Sequence, residues 1–275
     1  MRAMALSSFF VGAVQMTSTG DRARNLETAL RLAGRAAERG AKLIGLPENF
    51  SFMGRDEERI GGAETIEGPT LSELRAFARQ RRVHVLAGSF PERVAEAGKT
   101  ANTSVLIGDD GAITAVYRKI HLFDVAIPDG ARYAESETVA PGRDPVVATT
   151  PLGRIGLSVC YDLRFPELYR KLSEAGADLL TVPAAFTLFT GKDHWEVLLR
   201  ARAIENQAYV LAPAQCGRHS ANRVTFGNSM IVDPWGVVLA RCPAEGEGVC
   251  VAEVSPERLE QVRREVPALQ HRRLP

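Results

Sequence analysis

The sequence predicts an α/β fold of four layers, αββα, in which two mixed sheets pack face to face with helices outside each, as one domain over residues 1–275. Three observations carry this expectation. A pattern of strand, helix, strand, helix, strand and hairpin occurs twice in the same order, which predicts an internal pseudo-two-fold repeat. The central strands of each copy are continuously apolar, so both of their faces must be covered. Each copy ends in two extended stretches around a tight turn, which adds antiparallel strands to a parallel core.

The opening strand of the first copy is FFVGAVQM, from Phe9 to Met16. The chain before it, with an early arginine followed by apolar and small residues, has the outline of a secretory signal. RIGLSVCYD (Arg154 to Asp162) supplies the matching strand of the second copy and favours the strand reading, with a few disordered residues ahead of it. The next pair is RGAKLIGLPE (Arg39 to Glu48) and AGADLLTVPA (Ala175 to Ala184), which share Gly-Ala, a charged residue, two aliphatics and an aliphatic-Pro. Each follows a stretch with helical spacing. VHVLAGS (Val83 to Ser89) and AYVLAPA (Ala208 to Ala214) then repeat Val-Leu-Ala on a strand. NTSVLIGDDGAITAVYRK and NSMIVDPWGVVLAR close the copies, each starting at Asn and turning at Asp-Gly or Trp-Gly as a hairpin does.

Composition narrows the function. With 45% hydrophobic and 24% charged residues the chain can bury a sizeable core. Lys+Arg 34 against Asp+Glu 33 leaves a formal charge of +1 and no basic run that could track a phosphate backbone, so nucleic acid is not an expected partner. No segment reaches the roughly 20 apolar residues of a transmembrane helix. Cys160, Cys216, Cys242 and Cys250 form no CxxC pair and no zinc-like spacing with histidine. A reduced, cytoplasmic protein with free thiols, no metal and no cofactor is the expectation.

Residues that break the internal match need a reason other than fold. Glu48 stands where the second copy has Ala184, and Cys160 where the first has Gln15 or Met16. Lys119 ends the first hairpin, where the second has Arg241 followed by Cys-Pro. Together they make coherent chemistry. A thiol is mostly protonated at neutral pH and needs a base or a positive charge to act as a nucleophile. Glu48 can take the proton, Lys119 can favour the thiolate and stabilise an oxyanion, and the Tyr161 N–H is a natural second donor. Taken singly, each has a plainer explanation: a buried packing cysteine, a turn glutamate, a solvated lysine at a strand end.

LPEN around Glu48, YRKIHLFD around Lys119 and CYDLRFPE around Cys160 resemble the three signatures of the nitrilase, or carbon-nitrogen hydrolase, superfamily, in its order Glu, Lys, Cys. The similarity runs from VGAVQM to GNSMIVDPWGVVLA, nearly the whole chain. It implies the same αββα sandwich, a thioester acyl-enzyme, a small-molecule amide substrate and a homodimer or larger homo-oligomer. Tyr161 and Asp162 follow the cysteine where nitrile-cleaving members have Trp-Glu, which points to amides. HWEVLLRARAIENQAYVLAPAQCGRH and the terminal HRR are similar to the branch that holds deaminated glutathione amidases and the nitrilase portion of nitrilase-Fhit fusions. That branch cleaves the side-chain amide of a 2-oxoglutaramate-like acyl group, giving 2-oxoglutarate and cysteinylglycine from deaminated glutathione. An ω-amidase of 2-oxoglutaramate, or a non-catalytic interaction subunit on the same fold, are the alternatives.

The resemblance also places Glu135 as a second glutamate that hydrogen-bonds the lysine, with Glu137 as its competitor. It places Phe186, Thr187 and Thr190 in the acyl pocket. Arg164, four residues after Cys160, can hold a carboxylate as a bidentate fork or pair structurally with Asp162 or Glu167. His121 suggests a Cys-His hydrolase but fits a supporting role. Ser158 mimics a GxSxG elbow without its last glycine. Trp195, Arg202 and Glu205 are explained by packing and a helix ion pair, or by a partner subunit.

Overall fold

The computed structural model describes residues 7–96, 98–126, 132–220 and 223–274. The first copy contains β1 (Phe9–Met16), α1 (Arg22–Glu38), β2 (Ala41–Gly45), α2 (Asp56–Gly61), α3 (Pro69–Arg81), β3 (His84–Arg93), β4 (Thr100–Ile107) and β5 (Ile113–Arg118). A link follows through β6 (Asp124–Ala126), β7 (Arg132–Ala134), β8 (Val139–Ala140) and β9 (Val146–Thr150). The second copy contains β10 (Gly153–Leu157), α4 (Pro166–Glu174), β11 (Leu179–Thr181), α5 (Leu188–Asn206), β12 (Tyr209–Ala212), β13 (Ala214–Ser220), β14 (Arg223–Phe226), β15 (Met230–Val232) and β16 (Val238–Arg241). Then come β17 (Gly248–Val254) and α6 (Pro256–Glu265).

Strand order repeats between the copies. β1, β2 and β3 pair in parallel and β4 and β5 add antiparallel. β10, β11 and β12 pair in parallel and β15 and β16 add antiparallel. Val11 lies beside Leu43 as Ile155 lies beside Leu179, which puts Gly12 in register with Gly156 and Met16 with Cys160. Both glycines serve one purpose. A Cβ at Gly12 would stand 2.9 Å from Ala36 of α1, and one at Gly156 3.2 Å from Leu172 of α4, so each lets its helix approach the sheet.

The continuously apolar strands do bury both faces. Leu43, Leu86 and Leu106 point into the core shared with the second sheet, while their neighbours Ile44, Val85 and Val105 pack under α1 and α3. On the far side Leu168 and Tyr169 of α4, with Trp195 and Leu199 of α5, cover β10 to β12. These are the four layers. Fully burying one such aliphatic side chain is worth about 1.5–3 kcal/mol, so both the inter-sheet interior and the sheet–helix layers contribute to stability.

The sheets are less alike than the repeat suggests. Among the described residues one has nine strands and the other six, because β13, β14 and β17 from the second half join the first sheet. β17 lies antiparallel along β1 and β13 meets its end in parallel at Gln15 and Met16. Phe9–Met16 is therefore an interior strand, and residues 1–6, where disorder was expected, lie outside the described residues. Among the described residues no helix is long and apolar enough to cross a membrane.

Candidate active site

Glu48, Lys119 and Cys160 lie one to three residues beyond the ends of β2, β5 and β10, where a backbone leaving the sheet can turn a side chain into a cavity. The Glu48 carbonyl accepts from Gln215 Nε2 at 3.0 Å, and the next residue, Asn49, takes a left-handed φ of 56° with its N–H on Ser89 Oγ. Lys119 continues the β4–β5 ladder by donating its N–H to the Asn102 carbonyl at 2.9 Å. Cys160 has φ 49°, which is strained for a residue with a Cβ, and its N–H donates to the Pro183 carbonyl at 2.9 Å.

That strained turn is held from behind. The fully buried Asp162 accepts from the Val159 N–H at 2.8 Å, the Tyr117 hydroxyl at 2.7 Å and the His121 N–H at 3.0 Å, and also meets His121 Nδ1 at 2.8 Å. One carboxylate thus ties the strand end carrying Lys119 to the turn carrying Cys160. Arg202 donates twice to the Leu163 carbonyl, at 3.1 and 2.8 Å. Both groups fix backbone and not substrate.

Lys119 is 2% exposed and its Nζ lies 2.9 Å from Glu48 Oε1 and 2.8 Å from Glu135 Oε2. Asn102 Nδ2 donates to both carboxylates at 3.0 Å, the Ala185 N–H to Glu48 at 2.9 Å, and the Phe123 N–H to Glu135 at 2.8 Å. Burial works against the lysine charge, but Glu135 and Glu48 together raise its pKa above the ordinary value. Burial likewise opposes the Glu135 charge, and Lys119 overrides it, holding the carboxyl down to about 2. Cys160 goes the other way. Burial and then the Glu48 charge push its thiol well up, against the weaker pull of Lys119, so the resting group is a thiol beside the Glu48 carboxylate rather than a free thiolate.

Glu48, Lys119, Glu135, Cys160, Tyr161, Arg164, Phe186, Thr187 and Thr190 all line one pocket, joined by residues including Asn49, Arg59 and Arg223. Glu137 is exposed and outside it, so Glu135 is the glutamate that meets the lysine. Arg164 pairs with neither Asp162 nor Glu167: its Nη1 meets His194 Nδ1 at 3.2 Å, and its guanidinium lies 5.1 Å from the Phe186 ring centre and 5.9 Å from that of Tyr161. The Thr187 and Thr190 hydroxyls share one hydrogen bond at 2.8 Å, and Thr187 caps α5 by accepting from the Thr190 N–H, so one of the two hydroxyl donors is already spent within the protein. His121 stacks on Phe165 at 3.7 Å and does not line the pocket.

Ser158 is buried behind the strand, bonded to the Tyr169 hydroxyl and the Thr181 carbonyl, which removes the serine-elbow reading. Trp195 and Arg202 face inward, Trp195 donating to the Asn228 carbonyl and Arg202 pairing with Glu205, so neither meets a partner subunit. Cys216 is buried beside Thr17, away from the pocket. Asn102 was not legible as a site residue. The one signal was that the hairpin carrying Lys119 begins with it, a register that puts the two side by side. Among the described residues no group of three His, Cys, Asp or Glu could hold a metal.

A thiol, two carboxylates and a buried ammonium gathered at strand ends of an αββα sandwich define a hydrolase of carbon–nitrogen bonds. Residues 10–264 match the model of the carbon-nitrogen hydrolase family, and the chain belongs to that family. It is 52% identical over 270 residues to the deaminated glutathione amidase of Synechocystis sp., covering 97% of this chain and 99% of that one. To the deaminated glutathione amidase of Homo sapiens it is 48% identical, covering 99% and 86%. The solved NitFhit protein of C. elegans superposes with TM-score 0.92 at 41% identity, over 98% of this chain and 66% of that one. An amidase from Nesterenkonia sp. AN1, with acrylamide added at its active-site cysteine, superposes with TM-score 0.77 at 28% identity over 95% and 99%.

Proposed function

We propose that this protein hydrolyses deaminated glutathione to 2-oxoglutarate and cysteinylglycine, through a thioester on Cys160, within one domain spanning residues 1–275. The observation that carries the reading is the placing of the Cys160 thiol in one pocket with the Glu48 carboxylate, which Lys119 and Asn102 hold by hydrogen bonds. The naming of its half-identical relatives supports the substrate.

Cys160 Sγ attacks the amide carbon as Glu48 accepts the thiol proton, a coupled step that a raised thiol pKa requires. The oxyanion is held by Lys119 Nζ and the Tyr161 N–H. Glu48 then returns its proton to the leaving amine. Water enters and attacks the thioester as Glu48 takes its proton; the C–S bond then breaks, freeing the acid, and Cys160 Sγ recovers that proton from Glu48. Glu135 and Asn102 hold Lys119 and Glu48 in place throughout. Arg164 grips the carboxylate of the 2-oxo acid, and Phe186 walls the acyl group. A panel of ω-amides read as kcat/KM tests this: deaminated glutathione and 2-oxoglutaramate should exceed neutral aliphatic amides. Arg164→Lys should lower the first two about tenfold, because an ammonium cannot reproduce the fork. Better turnover of neutral amides or nitriles would overturn the substrate assignment and leave the cysteine chemistry standing.

The active form is a homodimer in the cytoplasm. Val197 and Ile204 of α5 and Trp235, Val237 and Leu239 at the last hairpin are 42–66% exposed, an apolar face that suits a second copy. Sedimentation at micromolar concentration should give twice the chain mass.

A further inference from the structure

Arg59 of α2 is 8% exposed and lines the pocket. Its Nη2 donates to Asn49 Oδ1 at 2.9 Å, while its buried Nε has no partner. No carboxylate forms an ion pair with it among the described residues. A buried guanidinium without a direct counter-ion is costly, and an orphan N–H adds to the cost. An anion entering the pocket relieves both.

Arg223 of β14 lines the same pocket and is one of the charges acting most strongly on Arg59, together with Glu135, Glu48 and Asp56. Arg164 is not one of that group. Two guanidinium groups that repel each other, neither in an ion pair among the described residues, suit a carboxylate bound between them. The charge of the whole lining agrees. Four arginines and Lys119 stand against three carboxylates, an excess of two positive charges in a chain whose formal net charge is +1. A dianion neutralises it. Deaminated glutathione is one, with the 2-oxo acid carboxylate on one side of the scissile amide and the glycine carboxylate on the other.

We propose that Arg59 and Arg223 form a second carboxylate-binding subsite, which holds the carboxylate at the leaving-group end of the substrate while Arg164 serves the acyl end. This rests on the substrate reading above and extends it: the pocket measures the substrate from both ends, and selects peptide-like leaving groups with a free terminal carboxylate over ammonia.

The test compares deaminated glutathione with an analogue in which ethylamine replaces the glycine, so that only the terminal carboxylate is lost. Release of 2-oxoglutarate is followed in wild type, Arg59→Met and Arg223→Met, with circular dichroism to check folding. Wild type should prefer the free acid about 10- to 100-fold in kcat/KM, the size of a lost charge-assisted hydrogen-bond pair. In each variant that preference should collapse to within about threefold of unity, because the ratio cancels any general loss of activity. Arg223, half-buried on a strand, keeps the test usable where Arg59→Met does not fold. A wild-type ratio near one, or a ratio that survives in Arg223→Met, overturns the subsite while leaving the substrate reading intact. No 2-oxoglutarate from either compound in wild type overturns the substrate reading and the subsite with it.

Discussion

The two ends of the repeat share a topology and differ in what fills them. At one end stand Glu48, Lys119, Cys160 and Asn102. At the other, the same register gives Ala184, Cys242, Met16 and Ser229: Cys242 donates its N–H to the Ser229 carbonyl at 2.8 Å as Lys119 does to Asn102 at 2.9 Å. Met16 and Ala184 are fully buried in apolar clusters, and the space is crossed by Gln15 bonding the Pro243 and Gly246 carbonyls. The fold therefore offers two equivalent strand-end sites. Four side chains keep one polar and open while packing closes the other.

That contrast breaks first at the base. Glu48→Gln should cut kcat by about 10²- to 10⁴-fold, the usual worth of general-base assistance, whereas His121→Asn, at a side chain that meets Asp162 and Phe165 and does not line the pocket, should cost far less. If the histidine change proved the more damaging, a Cys-His mechanism would replace this one.

Asn102→Ala removes one donor shared by two carboxylates and should lower kcat by about 10- to 100-fold, the price of a charged hydrogen bond, with KM little changed. At the mirror position Met16→Ala should destabilise by about 2–5 kcal/mol in denaturant melts and leave the specific activity of folded protein unaltered. Loss of activity there would mean the closed end is coupled to the chemistry.

The smallest expected effect is in stability against pH. The Glu135 carboxyl is held down to about 2 by Lys119 despite burial, against an ordinary value of 4.5. Its stabilising contribution is thus complete above the ordinary value and lost as pH falls toward about 2. The Tm deficit of Glu135→Gln should be largest at neutral pH and narrow below about pH 5. A deficit that grew on acidification would contradict the pairing.

Much of this was readable in the chain because the signals were local. Repeated blocks such as KLIGLPE and DLLTVPA placed the central strands, and mismatches between copies marked Glu48, Lys119 and Cys160. What was not readable depends on contacts far apart in sequence. β13 joins the first sheet across 199 residues from the Thr17 side chain it meets, and its polar AQCGRHS carries no alternation to announce a strand. In the sequence Asp162 offers itself as a partner for Arg164, and Asn102 only as the start of a hairpin; topology brings their actual partners within 3 Å. Thr187 and Thr190 were placed in the acyl pocket, and sequence could not show that their hydroxyls also bond each other.

The central claim is that Cys160, and no other thiol, carries the acyl group. Acid quenching during turnover of deaminated glutathione, followed by peptide mapping in a mass spectrometer, tests it directly. The 2-oxoglutaryl adduct should appear on the Cys160 peptide, be absent from those of Cys216, Cys242 and Cys250, and vanish together with turnover in Cys160→Ala. Full activity in Cys160→Ala, or an adduct on Cys242 at the closed end, would contradict the account.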